Sequence, residues 1–269
     1  MYGDGFTHQI IMQIKAHAKI NLALDILGKD KITDYHFIQT VITQVPTLFD
    51  TIEIREIQAD KISIDCSNKD LEADETNTCY KAAKLLKEKF KINKGVEIKI
   101  DKKIPLSSGL GGGSSDAAAV LKALNEIWHL NLKTPELEEI AIQIGMDTVF
   151  FLYGGTCVCS HFGDNIYPLP ELKNIEIQII DTGVKIASAE AYKQIDYKKI
   201  GQQKQLTDQL ISLLKSQKIE GLEKLIHNDF ELSVNKNHPQ ITAAIEELKS
   251  KGATSAHLSG SGGCVFGLF

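Results

Sequence analysis

Residues 105–115 read Pro105-Leu106-Ser107-Ser108-Gly109-Leu110-Gly111-Gly112-Gly113-Ser114-Ser115. Before them, Val96, Ile98 and Ile100 alternate as in a strand. After them, Ala117, Val120, Leu121, Leu124, Ile127 and Trp128 recur at helical spacing. Glycine reaches backbone conformations closed to other residues, so this run demands a tight turn and lets a ligand approach the main chain. A helix starting near Ser114 offers free N–H groups and a positive dipole end. Together these predict an anion site whose natural occupant is a nucleoside triphosphate. The Ser115 hydroxyl is placed to reach a magnesium ion or a phosphate oxygen. No lysine follows the glycines, so this is not a Walker A loop, and Ser114 replaces the third glycine of a dinucleotide fingerprint. The plainer alternative is a flexible connector capped by a serine.

Composition narrows how such a site could work. The chain has 29 lysines and a single arginine, Arg55, so several arginine forks on phosphate are excluded. A net charge of -5 argues against a nucleic-acid partner. With 269 residues, 43% of them hydrophobic, the chain can bury a core without disulfides. Its apolar runs are too short to predict a membrane span. Cys66, Cys79, Cys157, Cys159 and Cys264 are scattered, which reads as reduced thiols in a cytoplasmic protein. Metal ligation by the Cys157–Cys159 pair is the lesser alternative.

Ile20, Leu22, Leu24 and Ile26 alternate with Lys19, Asn21, Ala23 and Asp25, predicting a half-buried strand with Lys19 and Asn21 on its polar face. Further strands are expected near 37–43, 51–57, 61–65, 95–101, 156–160, 175–180, 253–258 and 264–269. Helices are expected near 79–90, 114–128, 134–145, 188–195, 207–216, 221–227 and 239–251. Strands and helices mix without strict alternation. The expectation is an α+β protein in two lobes, residues 1–154 and 155–269.

The loop resembles the phosphate loop of the GHMP kinases. Ala18-Lys19-Ile20-Asn21-Leu22, Asp34-Tyr35-His36-Phe37-Ile38-Gln39-Thr40 and Gly145-Met146-Asp147-Thr148-Val149 resemble segments of one branch of that superfamily, the 4-diphosphocytidyl-2-C-methyl-D-erythritol kinases. Leu258-Ser259-Gly260-Ser261-Gly262-Gly263 resembles the superfamily's C-terminal motif. The resemblance implies a ribosomal protein S5 domain 2-like first lobe, a ferredoxin-like second lobe, and ATP with Mg²⁺. It implies transfer of phosphate to the 2-hydroxyl of a cytidyl diphosphate sugar alcohol. Asp147 would be the base and Lys19 its partner. Asn21, Tyr35, His36, Ser188 and Tyr192 would contact the acceptor, with Tyr35 and Tyr192 as facing aromatic walls. The protein would be a monomer or weak homodimer.

Each assignment has a plainer counterpart: Asp147 as a cap for a helix starting at Thr148, Lys19 as a solvated strand residue, Tyr192 as core. Another small alcohol as acceptor, or a non-catalytic ligand sensor of the same fold, are the rival functions. Three departures stand out. Thr33-Asp34 replaces the usual Asp-Gly, so the glycine turn is expected to be lost. Val149 replaces a proline, and the chain stops soon after the last motif, as if the second lobe were short. Met12 resembles a natural start, making residues 1–11 an expected extension.

Overall fold

The computed structural model describes residues 11–269. The expected extension therefore falls outside the described residues except for Ile11, which already belongs to a strand.

Strands β1 (Ile11–Lys29) and β2 (His36–Ile57) pair antiparallel over nearly their full length. The two strands expected at 37–43 and 51–57 are the halves of β2. Between them the pairing jumps from Val45 to Phe49, and Pro46 sits in the jump. Proline cannot donate to a ladder, so the strand bulges there rather than ending. The two halves then take different neighbours. The second half pairs with β4 (Gly95–Asp101), beyond which lies β3 (Ile62–Cys66). The first half pairs with β5 (Thr156–His161), which turns back into β6 (Asn165–Leu169), a strand missed from the sequence. The two-residue β8 (His227–Asn228) runs parallel to β1 and completes a seven-stranded sheet.

Helices α1 (Thr78–Phe90), α2 (Gly112–Ile127), α3 (Thr134–Ile144) and α4 (Met146–Tyr153) join this sheet in one core. Ile52, Ile54, Leu86, Ile98, Leu121 and Phe150 meet there. The smaller sheet is antiparallel, in the order β7 (Ile177–Asp181), β10 (Cys264–Leu268), β9 (Ser255–Leu258). Helix α8 (Pro239–Ser250) packs on it, accompanied by α5 (Ser188–Lys193) and α7 (Glu231–Asn237), while α6 (Lys204–Lys215) lies against β1 and β2 of the larger sheet.

The α+β, two-lobed expectation holds. The chain re-enters the larger sheet after residue 155 as β5 and β6, so the smaller sheet begins only at β7. The helix expected over 221–227 is a 3₁₀ turn, Leu222–Lys224, followed by β8. Pairing of His227 and Asn228 with β1 draws that stretch out. Helix α7 had no distinct apolar period and was not expected. From Ala18 to Ile26, strand β1 is buried on both faces rather than one. Its apolar face packs on Leu210, Leu214 and Phe266, while its polar face is covered by Gly111 and Gly260. No helix among the described residues is long and apolar enough to cross a membrane.

Candidate active site

Helix α2 begins at Gly112, two residues earlier than expected, with Gly111 at the cap position in the left-handed region. No side chain caps it and its first turn carries no acid. Its first helical bond runs from Ser115 N to Gly111 O, leaving the N–H groups of residues 112–114 without helical partners. They border a cleft of about 550 Å³. Lys19, Asn21, Thr40, Asp147, Ser188 and Gly260 line the same cleft. Most of the predicted loop borders it, from Pro105 to Gly109 and from Gly111 to Ser114. Leu110 does not: it is fully buried, and its carbonyl accepts the Lys19 backbone N–H at 2.9 Å. Ser115 turns inward, 3% exposed, and is not on the cleft. Ser114 is the serine that faces it, because the cap fixes the phase of the helix.

The loop is held from two sides. Gly109 has φ +79°, and a Cβ there would lie 2.0 Å from Ser259 O. The Ser259 hydroxyl donates to Gly109 O at 3.2 Å, and Cys264 N donates to Ser108 O at 2.9 Å. The C-terminal motif is therefore a second wall of the phosphate loop. Asn228 holds that wall by donating to Leu258 O and Gly260 O at 2.9 and 2.8 Å. On the other side, Lys102 is buried between Asp50 and Asp116, with Nζ 3.1 Å from Asp116 Oδ2. Asp50 also accepts the backbone N–H of Ile104 at 2.9 Å. Burial pushes the Asp116 carboxyl up to about 7, against the pull of Lys102. This ionic cluster and Asn228 were missed from the sequence. Their residues are 52 and 14 positions apart in the cluster, with no local pattern linking them.

Lys19 Nζ lies 3.8 Å from Asp147 Oδ2. Lys19 is buried, not solvated, and its Nζ donates to Asn21 Oδ1 at 2.6 Å. Burial lowers its pKa, opposed by Asp147. Asp147 lies in the first turn of α4, which starts at Met146 rather than Thr148, and its side chain is 44% exposed to the cleft. Val149 sits inside a regular helix, fully buried, so replacement of proline leaves the backbone intact.

The aromatic groups are arranged differently from expectation. Tyr35 is half exposed and leans on Phe162, with centroids 5.4 Å apart. His36 instead stacks on Tyr192 at 4.1 Å and 14°, and its Nε2 is 2.7 Å from Tyr197 Oη. Tyr192 also meets Phe230, which lines the cleft, at 4.9 Å. Thus it is His36, not Tyr35, that stacks on Tyr192. Ser188 reaches the cleft and pairs with Ser261 at 2.9 Å. At the Thr33-Asp34 departure a left-handed turn residue is present without glycine. Asp34 itself takes the left-handed conformation, φ 65°, and pairs with Lys29.

Among the described residues, no group of three or more His, Cys, Asp or Glu side chains forms a metal cluster. All five cysteines are buried free thiols. The oxygens available on the cleft suit a cation carried in with phosphates, which needs few protein ligands.

Comparison with known proteins agrees with this geometry. Residues 77–155 match the family described as GHMP kinases N terminal domain, and residues 210–269 match GHMP kinases C terminal. The 4-diphosphocytidyl-2-C-methyl-D-erythritol kinase of Caldicellulosiruptor bescii is 38% identical over 96% of this chain and 89% of its own. That of Clostridium beijerinckii is 38% identical over 96% and 91%. A crystal structure of 4-(cytidine 5'-diphospho)-2C-methyl-D-erythritol kinase superposes with TM-score 0.79 at 25% identity, covering 96% of this chain and 90% of that one. Homoserine kinase from Cytophaga hutchinsonii shares the fold at TM-score 0.75 and 19% identity, over 100% and 87%. The chain belongs to the GHMP kinases and, within them, to the family of the 4-diphosphocytidyl-2-C-methyl-D-erythritol kinases.

Proposed function

We propose that this chain transfers the γ-phosphoryl group of ATP to the 2-hydroxyl of 4-diphosphocytidyl-2-C-methyl-D-erythritol, a step of isoprenoid precursor synthesis. One observation carries the reading. An ammonium and a carboxylate, Lys19 and Asp147, stand 3.8 Å apart in a cleft bordered by an uncapped helix N-terminus. Phosphoryl transfer asks for that combination: donors for the phosphates, an acceptor for the hydroxyl proton, and a cation near the transferred group.

Asp147 is reached from the cleft and accepts the proton of the attacking hydroxyl. Lys19 faces that carboxylate at 3.8 Å and has a further N–H for the reacting oxygens. Asn21 holds Lys19 and borders the acceptor. The unpaired N–H groups of residues 112–114 bind phosphate oxygens without any arginine. Ser114, rather than Ser115, is the hydroxyl placed to assist them. Magnesium supplies charge neutralisation on the phosphates when bound. His36 and Tyr192 offer ring faces and Ser188 a hydroxyl for the cytidyl end, while Tyr35 would swing from Phe162 to join them. The working unit is a single chain or weak homodimer, since one chain supplies the whole cleft. The setting is the cytoplasm, in keeping with five reduced thiols.

Coupled ADP release, measured with the cytidyl substrate, homoserine and mevalonate, tests the acceptor. Turnover confined to homoserine or mevalonate would refute the substrate. Asp147→Asn is expected to lower kcat about 10²–10⁴-fold with ATP affinity retained. Unchanged turnover would remove the base.

A further inference from the structure

Behind Lys19 runs a hydrogen-bonded line that crosses the sheet. Lys19 Nζ donates to Asn21 Oδ1 at 2.6 Å, and Asn21 Nδ2 donates to Thr40 Oγ1 at 2.9 Å. Thr40 Oγ1 in turn donates to Ala23 O at 2.6 Å. Lys19, Asn21 and Thr40 are 4%, 3% and 1% exposed, so water does not compete for these bonds. The line crosses where the β1–β2 pairing slips, between Asn21 and Ala23.

The direction of each bond is forced. A hydroxyl has one hydrogen, and that of Thr40 is committed to Ala23 O. Its oxygen can then only accept from Asn21. The amide must present its NH₂ to Thr40 and its carbonyl oxygen to Lys19. A flipped amide would set N–H against an ammonium and a carbonyl against an oxygen with no hydrogen to give. Both bonds would be lost in a buried site.

We propose that Thr40 is a positioning residue for phosphoryl transfer, acting through Asn21 to hold the Lys19 ammonium against Asp147 and the cleft. Thr40 acts on the reaction only through the amide it orients. The inference rests on the kinase reading above. The titratable groups facing Lys19 are Asp147 on α4 and the Cys159 thiol on β5. Burial already disfavours the charged lysine, and the Asn21 carbonyl offsets this. Losing that carbonyl lowers the pKa of Lys19 further.

Thr40→Val keeps the shape and removes the hydroxyl; Thr40→Ser keeps the hydroxyl. Thr40→Val is expected to lower kcat about tenfold or more, with the KM for ATP within about twofold. The alkaline limb of its kcat–pH profile should move to lower pH by about half a unit or more. Thr40→Ser should stay within about threefold of the unsubstituted protein. In an Asn21→Ala background, Thr40→Val should add little, because its route is gone. Wild-type kcat and an unmoved limb in Thr40→Val overturn the proposal, as does a Thr40→Ser protein as impaired as Thr40→Val. ¹³Cε-lysine NMR titration of the protein without substrate reads the same effect independently of turnover. An unchanged Lys19 titration in Thr40→Val overturns the proposal even if no acceptor is turned over, and a protein inactive on every acceptor refutes the kinase reading separately.

Discussion

Ser114 and Ser115 are neighbours with opposite fates, one on the cleft and one 3% exposed in the core. Ser114→Ala should therefore raise the KM for ATP about tenfold, the cost of a hydrogen bond to a charged partner. Ser115→Ala should leave that KM within about twofold and show instead in a thermal melt. Steady-state kinetics on both variants separates the two. The sequence made a hydroxyl in this stretch conspicuous but could not say which one, because helix phase depends on where the cap falls. Gly111 takes that position through its left-handed backbone, which no residue pattern announced. Lys19 and Asp147 were legible because each stands in a distinctive short motif. Thr40 was not, since its part arises from Asn21, nineteen positions away across a strand pair. The stacking of His36 on Tyr192 was not legible for a related reason: Phe162 engages Tyr35, and that contact depends on the turn after β5.

At the scale of elements, α2 is aimed by what lies under it. Lys102 joins Asp50 in the middle of β2 to Asp116 on α2, and all three are buried. Removing only the cation leaves two carboxylates uncompensated. Lys102→Met is expected to cost about 3–5 kcal/mol of stability, read from urea denaturation. Loss of less than about 1 kcal/mol would show that the cluster does not hold the helix. Gly109→Ala tests the opposite wall, because a Cβ at 2.0 Å from Ser259 O forces the loop and the C-terminal motif apart. Binding of ATP, measured calorimetrically, should fall sharply in that variant. Regular elements with a clean period, such as α1, α2 and α8, were readable from sequence. Strand β6 and helix α7 were not, for they are short and stabilised by tertiary pairing rather than by their own pattern. The stretch at 221–227 misled because Leu222, Leu225 and Ile226 are apolar at helical spacing, yet β1 claims the residues that follow.

The whole molecule is tied together by β1, which passes through three cores in succession. A buried clasp fastens it to the second half of the chain. His227 Nε2 is 3.1 Å from Asp25 Oδ1, and its Nδ1 is 3.0 Å from Leu225 O. Both neighbours are acceptors, an arrangement that favours the protonated imidazole. Burial works against that charge, but the bonds to Asp25 and Leu225 prevail and the pKa of His227 is raised. A raised histidine stabilises the fold fully below its unfolded pKa, about 6.5, and loses that contribution as pH climbs through the folded value. Stability from urea titration should therefore fall as pH rises above about 6.5, and His227→Gln should flatten that part of the profile. A slope unchanged by the substitution would place the effect elsewhere. The clasp is one of several very distant contacts, and the most distant has a consequence in time. Ser259 Oγ comes within 3.5 Å of Lys19 O across 240 residues of chain. A ribosome adding about 5–20 residues per second needs on the order of ten to fifty seconds to bridge that interval. Throughout it, the nascent chain carries Lys19 with one side of its future enclosure not yet synthesised. Catalysis is thus a property acquired in a late step of synthesis, and fragments ending before residue 259 should be inert however well their first lobe folds.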